Sequence, residues 1–339
     1  MSAASDLLLV VSVLAYLAAM VAHAAQTALR ERGAPAPAAE RQPALSGVAV
    51  AGARPASPVV DRGAPPSTPA GGSPATSAGA PPAGDRPARL AWLVDRVALS
   101  TLLLAVAAHA ATTVTRGLAA QRVPWGNMYE FLLSATLVGA VAWLVVRFRH
   151  PAARHLGLYV SLANLVLLGL AGMVLYVPVG PLVPALDSYW LLIHVASAAT
   201  ATGIFLVGFV AAVMYLIRVG HDRQKTRFPY PLGARMPAAA TLERLTFRVH
   251  AFAFPIWTFA VIAGAIWAEA AWGRYWDWDP KEVWSFVSWI VYAGYLHARA
   301  TPHVRRTTAA WLAVVGFLTM LMNLFGVNFF FTGLHSYAG

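Results

Sequence analysis

Long apolar runs separated by short basic stretches dominate the chain. Eight such runs are legible, at about 7–29, 91–115, 128–147, 156–177, 189–217, 250–271, 281–299 and 308–331. Each approaches or exceeds the roughly 20 residues that a helix needs to cross a bilayer. Lipid offers no partner for exposed backbone groups, so a spanning segment must bond its own N–H and C=O groups internally. The pattern predicts an all-α, polytopic membrane protein with about eight transmembrane helices. Residues 31–87 break the pattern: Ala, Pro, Gly and Ser dominate and no apolar periodicity survives. Such a composition cannot bury a core and predicts a disordered linker. The chain therefore divides into a first helix (1–30), a linker (31–87) and a seven-helix core (88–339).

Three of the predicted helices carry start signals. Asn127-Met128-Tyr129-Glu130 offers an Asn cap with Glu three residues on, and Asp187-Ser188 precedes the fifth run. Asp279-Pro280-Lys281-Glu282 is the strongest, with Asp as cap, Pro at the first helical position and Glu at the third. The first run also raises the question of a cleaved signal, because Ala22-His23-Ala24 resembles a cleavage site. Its flank holds Asp6 and no Lys or Arg, which is wrong for a signal and predicts a retained helix.

Charge then orients the helices. Of 25 Lys and Arg, 21 fall in four of the connecting stretches: residues 30–96, the loop RFRHPAAR, Arg218 to Arg248, and Arg299 to Arg306. Only Arg116, Arg122, Arg274 and Lys281 lie elsewhere. The positive-inside rule makes those four stretches, the linker included, cytoplasmic. It leaves both termini and the Trp-rich loop extracytoplasmic. Orientation in a membrane accounts for the net charge of +11, so no nucleic-acid partner is expected. The absence of Cys excludes disulfides, thiolate metal sites and a cysteine nucleophile.

The candidate chemistry lies in the polar residues that the membrane should exclude. Of ten His, four (His150, His155, His221, His303) sit in basic loops and read as solvated. His23 and His250 sit near inner helix ends, where an interfacial position is the plainer reading and ligation the alternative. His109 is intramembrane with no nameable partner. His194 lies about one turn inside the fifth run, followed by small residues from Ala196 to Gly203. These either let helices approach closely or leave room for a flat ligand. His335 lies in the outer tail, near the same surface. Two imidazoles from opposite ends of the chain, beside an aromatic shelf, suit axial ligation of a haem iron. His297 lies sixteen residues after Lys281, roughly 24 Å further along a helix. It reads either as a ligand with Ala293 and Gly294 making room beside it, or as a side chain reaching the inner interface.

The stretch from Trp272 to Trp289 holds five of the twelve Trp. Membrane interfaces collect Trp in any case. That does not explain why Trp272, Trp276, Trp278 and Trp284 crowd together with Arg274, Asp277, Asp279, Lys281 and Glu282. A porphyrin has flat apolar faces for Trp to stack on and two propionates for Arg274 or Lys281 to pair with.

At these residues a resemblance becomes specific. WGRYWDWDPKEVWSFVSW resembles the WWD signature of the CcsA/ResC/CcmC/CcmF haem-handling proteins of cytochrome c maturation. WIVYAGYLHAR, VPWGNMYEF and FGVNFFFTGLHSYAG resemble the CcsA/ResC branch, called CcsB in actinobacteria. The resemblance covers most of the chain beyond residue 90. It implies a membrane subunit of a system II holocytochrome c synthase (haem lyase) in the bacterial cytoplasmic membrane or its plastid counterpart, acting with a ResB-type membrane partner. It further implies haem b as substrate and ligand, apocytochrome c with its CxxCH segment as acceptor, and thiol-reducing proteins as further partners. By motif, His194 and His335 match the outer haem-ligating pair, and His297 in YLHAR matches a membrane-site ligand whose mate lies on the partner. Asp277, Asp279, Pro280, Glu282, Asn127 and Glu130 read as structural members of the motifs. No residue is expected to act as a general base. A haem transporter without synthase activity and a b-type electron-transfer subunit are the alternatives. The second is disfavoured because the best His pair lies at the outer edge rather than deep between helices.

Overall fold

In the computed structural model, residues 2–33 and 86–335 are described. The linker expected at 31–87 lies outside the described residues, apart from its ends. Helices occupy all eight apolar runs: α1 Ser2–Gly33, α2 Arg86–Ala120, α3 Met128–Arg149, α4 Gly157–Val174, α5 Tyr189–Asp222, α6 Ala239–Trp272, α7 Pro280–Ala300 and α8 Arg306–Leu321. A π turn, Met322–Gly326, continues α8 into the short α9, Val327–Phe330. No strand occurs among the described residues. Seven of these helical stretches are long and apolar enough to cross a membrane, and α7 falls short. It has 21 residues, but Trp, Ser and Tyr alternate with its apolar positions, and His297 and Arg299 lie in its last turn. The expected eight apolar crossings are thus seven, plus one amphipathic helix that packs against α6 and α8 in the same bundle.

The chain folds as two packed groups. α1 lies against α2 and α4, and α4 against α3; α5 lies against α6 and α8. The groups meet where α3 crosses α5. That crossing is close because Gly139 and Gly203 face one another: a Cβ on Gly139 would come within 3.1 Å of the Gly203 carbonyl. Both readings of the small-residue run from Ala196 to Gly203 are therefore realised. Gly203 admits α3, while Ala198 and Thr202 face a cavity. α6 begins eleven residues before its apolar run, because Leu242, Leu245 and Val249 continue a buried stripe into the basic end.

Charged groups inside the bundle are paired in clusters. Glu130, fully buried, accepts from Arg116 Nε at 3.0 Å and Arg122 Nη1 at 2.7 Å. The expected cap at α3 forms, with Asn127 Oδ1 accepting the Glu130 N–H at 2.9 Å. The Glu130 carboxylate reaches the Gly126 N–H at 2.8 Å instead of closing a capping box on Asn127. Near the basic end, Arg147 pairs with Asp95 at 3.0 Å, and Gln26 links Asp95 to His23.

Two expectations fail here. His23 and His250, read as interfacial, are 1% and 0% exposed. His23 packs on Gly157 of α4, and His250 on Gly208 of α5 while its Nδ1–H donates to the Thr246 carbonyl at 2.7 Å. The absent Cβ of each glycine supplies the space, which an apolar-run reading cannot see. His109 finds its partner in the Tyr16 hydroxyl at 3.4 Å.

Breaking one partner of a buried ion cluster strands the other charges, at a cost of roughly 3–5 kcal/mol. Glu130→Gln is therefore expected to lower the thermal unfolding midpoint in detergent by many degrees. Breaking the Arg218–Asp222 pair at its exposed carboxylate with Asp222→Asn should cost under about 1 kcal/mol. Equal effects of the two changes would contradict the assignment.

Candidate functional site

The site is assembled at the turn between α6 and α7. α6 stops at Gly273, whose φ of +72° suits a residue without Cβ and whose N–H closes on the Glu269 carbonyl at 2.8 Å. Trp278 also takes a positive φ, +58°, and its ring is 70% exposed. α7 then opens with the complete capping box expected there. Asp279 Oδ1 accepts the Lys281 N–H at 3.0 Å, and Glu282 Oε2 accepts the Asp279 and Asp277 N–H groups at 3.1 and 2.8 Å. Pro280, at the first helical position, has no N–H to leave unpaired.

Asp279 also reaches across the chain. Its Oδ2 accepts the Leu334 N–H at 2.7 Å, and its Oδ1 accepts from His335 Nδ1 at 2.8 Å. Gly333 lies so close that a Cβ there would collide with Oδ2. Burial raises the Asp279 carboxyl, but the His335 ring and the Lys281 and Leu334 N–H groups outweigh it and hold the group below the usual carboxylate range. The tail is thus pinned onto the start of α7, and His335 is oriented by a carboxylate.

His194 reaches the same place from α5. Its Nδ1–H donates to the Ala260 carbonyl of α6 at 2.8 Å. Its ring fills the notch left by Gly264, where a Cβ would come within 2.7 Å of Nδ1. Trp267 joins the two imidazoles. His194 stacks on it with centroids 5.9 Å apart and planes 12° from parallel, and His335 meets it edge-on at 5.6 Å. Trp272 meets His335 edge-on at 5.1 Å. The Trp267 indole N–H, bonded to the Ala185 carbonyl at 3.1 Å, fixes that ring.

Both histidines line a cavity of about 190 Å³ that opens at the surface. Pockets for drug-sized ligands run to about 300–1,000 Å³, so a porphyrin-sized guest would have to extend through the open mouth. The walls are apolar and aromatic, with Trp125, Phe131, Trp257, Trp272 and Trp276 among them. Lys281 supplies the cation. Its Nζ donates to the Asn323 carbonyl at 3.3 Å and lies 3.8 Å from Met128 Sδ, with no carboxylate within ion-pair range among the described residues. Asn323 lies within the π turn that continues α8.

Other candidates lie elsewhere. Arg274 pairs with Asp277 on the exposed side of the loop and does not line the cavity. Trp278 and Trp284 do not line it either. His297 is exposed on α7 and is not brought near the other two histidines.

Every cavity-lining residue lies between Trp125 and His335. That interval, residues 125–335, is the part of the chain that matches the family described as Cytochrome C assembly protein. The chain belongs to the cytochrome c assembly protein family. Among its relatives is the cytochrome c biogenesis protein CcsA of Guillardia theta, 33% identical over 240 residues, covering 66% of this chain and 79% of the relative. The CcsA proteins of Porphyra purpurea and Synechocystis sp. are each 31% identical, over 299 and 298 residues, covering 74% and 73% of this chain and 89% of each relative. As a member of the cytochrome c assembly family, the chain is a multi-pass membrane subunit of cytochrome c maturation, a process that involves haem and apocytochrome c.

In this cytochrome c assembly protein several site residues were invisible to sequence reasoning. Trp267 and Gly264 lie inside an apolar run, where Trp reads as interface or core and Gly as helix packing. Trp125 and Met128 flank a helix start, and Asn323 contributes through its backbone. The sequence signals near them were the density of Trp and, for Trp125 and Met128, the VPWGNMYEF motif, which assigned neither of them a role.

Filling the His194 notch should be costly, because overpacking typically costs about 1–3 kcal/mol. Gly264→Ala is expected to lower the unfolding midpoint by several degrees, measured in detergent. Gly294→Ala serves as the control, since a Cβ there meets nothing within 4 Å. A midpoint equal to that control would show that the ring does not need the notch.

Proposed function

We propose that the cavity receives haem b and presents it for thioether attachment to apocytochrome c, the chain being one subunit of a synthase. The observation that carries this reading is the pair His194 and His335. They come from α5 and the tail, each uses Nδ1 in a hydrogen bond within the protein, and both pack on Trp267 within one aromatic cavity. An imidazole whose Nδ1–H is engaged offers its Nε2 lone pair to a metal. His194 and His335 are then the two axial ligands of haem iron.

The rest of the site supplies position. Trp272 and Trp276 cover the porphyrin face, and Lys281, with no carboxylate within ion-pair range among the described residues, takes a propionate. The vinyl edge faces the mouth. The CxxCH histidine replaces one axial ligand, and each cysteine S–H adds across a vinyl C=C, sulfur to one carbon and hydrogen to the next. No net proton is gained or lost, so no general base is required, and catalysis is by positioning.

The Trp loop and the tail share one end of the bundle, and the basic loops lie at the other. By the positive-inside rule the haem-presenting end faces outward from a bacterial cytoplasmic membrane, with the linker 31–87 on the cytoplasmic side. His297, exposed on α7, suits a membrane site completed by a histidine of a ResB-type partner. Thiol-reducing proteins keep the acceptor cysteines available.

The Soret absorbance of the purified complex tests the ligand pair. The double variant His194→Ala, His335→Ala is expected to lose the outer haem and its covalent attachment to a co-expressed apocytochrome. Unchanged absorbance with full attachment would sink the assignment. Haem delivered without attachment, with the wild-type chain and its partner present, would favour a transporter over a synthase subunit.

A further inference from the structure

Asp279 caps α7, but a cap does not need its charge. Asn127 caps α3 and Ser188 caps α5 with neutral oxygens. Asn and Asp are equally good caps, so the buried carboxylate at position 279 calls for a second reason. Asp279 is 7% exposed, and burying a carboxylate is costly unless it is paired and hydrogen-bonded. Its third interaction, beyond the Lys281 and Leu334 N–H groups, is with the His335 ring.

The two histidines of the cavity are held differently. His194 Nδ1–H donates to a neutral carbonyl, that of Ala260, and His335 Nδ1–H donates to a carboxylate, both at 2.8 Å. A carboxylate draws the N–H proton more strongly than a carbonyl does and leaves more electron density on the far nitrogen. We propose that Asp279 is a positioning residue for His335: it makes the tail imidazole the stronger iron donor of the pair and seats it before haem arrives. The inference rests on the reading above that His194 and His335 ligate haem iron. Its direct consequence is that ferric iron, the more highly charged state, is favoured over ferrous iron.

The experiment loads the purified full chain with ferric haem in detergent and compares wild type with Asp279→Asn and Asp279→Glu. Asn preserves the cap and an acceptor oxygen while removing the charge; Glu preserves the charge. Circular dichroism of the haem-free proteins checks that the helices remain. Expected results are a higher haem reduction potential in Asp279→Asn and ferric-haem affinity weaker by about 10-fold or more, with Asp279→Glu lying closer to wild type in potential. A merely structural role predicts lower haem occupancy with an unchanged potential. That outcome, or an unchanged potential at full occupancy, would overturn the proposal while leaving the ligand pair in place. A wild-type chain that shows no bis-imidazole spectrum overturns the ligand reading, and this inference with it. If Asp279→Asn loses its helical signal, Asp279→Ser, another neutral cap, takes its place. A raised potential in that variant supports the pairing, and an unchanged potential overturns it.

Discussion

The carboxylate of Asp279 accepts from the Lys281 N–H, the Leu334 N–H and the His335 ring. Through these bonds it ties the start of α7 to a tail 55 residues further along. Remove the tail contact and His335 loses the carboxylate that orients its ring. Remove the cap and the turn carrying Trp272 and Trp276 loses its anchor on α7. Both walls of the cavity depend on one buried anion, which is stable there because every hydrogen bond it accepts comes from a donor already fixed by the backbone or by an aromatic ring.

A second buried carboxylate does comparable work at the start of α3. Glu130 gathers Arg116 from α2, Arg122 from the connecting turn and the Gly126 N–H. This fixes the chain path through Trp125, Asn127 and Met128, all of which line the cavity. Lipid cannot solvate these charges, so each must find its counterion inside the protein. The two clusters pin two parts of the lining, the start of α3 and the start of α7 with the tail. Between them Lys281 is left as the cavity's own cation, facing a space suited to an anionic group.

Much of this was legible in the residues. The apolar runs marked every long helix because membrane spans must be both long and apolar. The box at Asp279 was legible because cap chemistry is local: an acceptor, a Pro and a Glu within four residues suffice. His194 stood out as an imidazole inside an apolar run and His335 as one in the outer tail, and the aromatic density of the Trp-rich stretch pointed to the same end of the bundle. The misreadings share a cause. His23 and His250 were placed at an interface by their distance along a helix, but side-chain direction decides their surroundings. Gly157 and Gly208 on neighbouring helices turn those positions into buried slots. Arg274 looked equivalent to Lys281 as a partner for an anion, until its loop turned it toward Asp277.

Residue order alone established the all-α membrane architecture, the helix starts and the residue types available for iron, porphyrin and carboxylate, because these depend on hydropathy and on contacts within a few positions. Tertiary structure decided which of them meet. It put Trp267 between two imidazoles that lie far apart in the chain, opened the Gly264 notch, brought the Asn323 carbonyl to Lys281 and left His297 on the surface. These are properties of how helices pack and rotate against one another. A hydrophobic run specifies that a helix will be buried in lipid, but not which of its faces meets which neighbour.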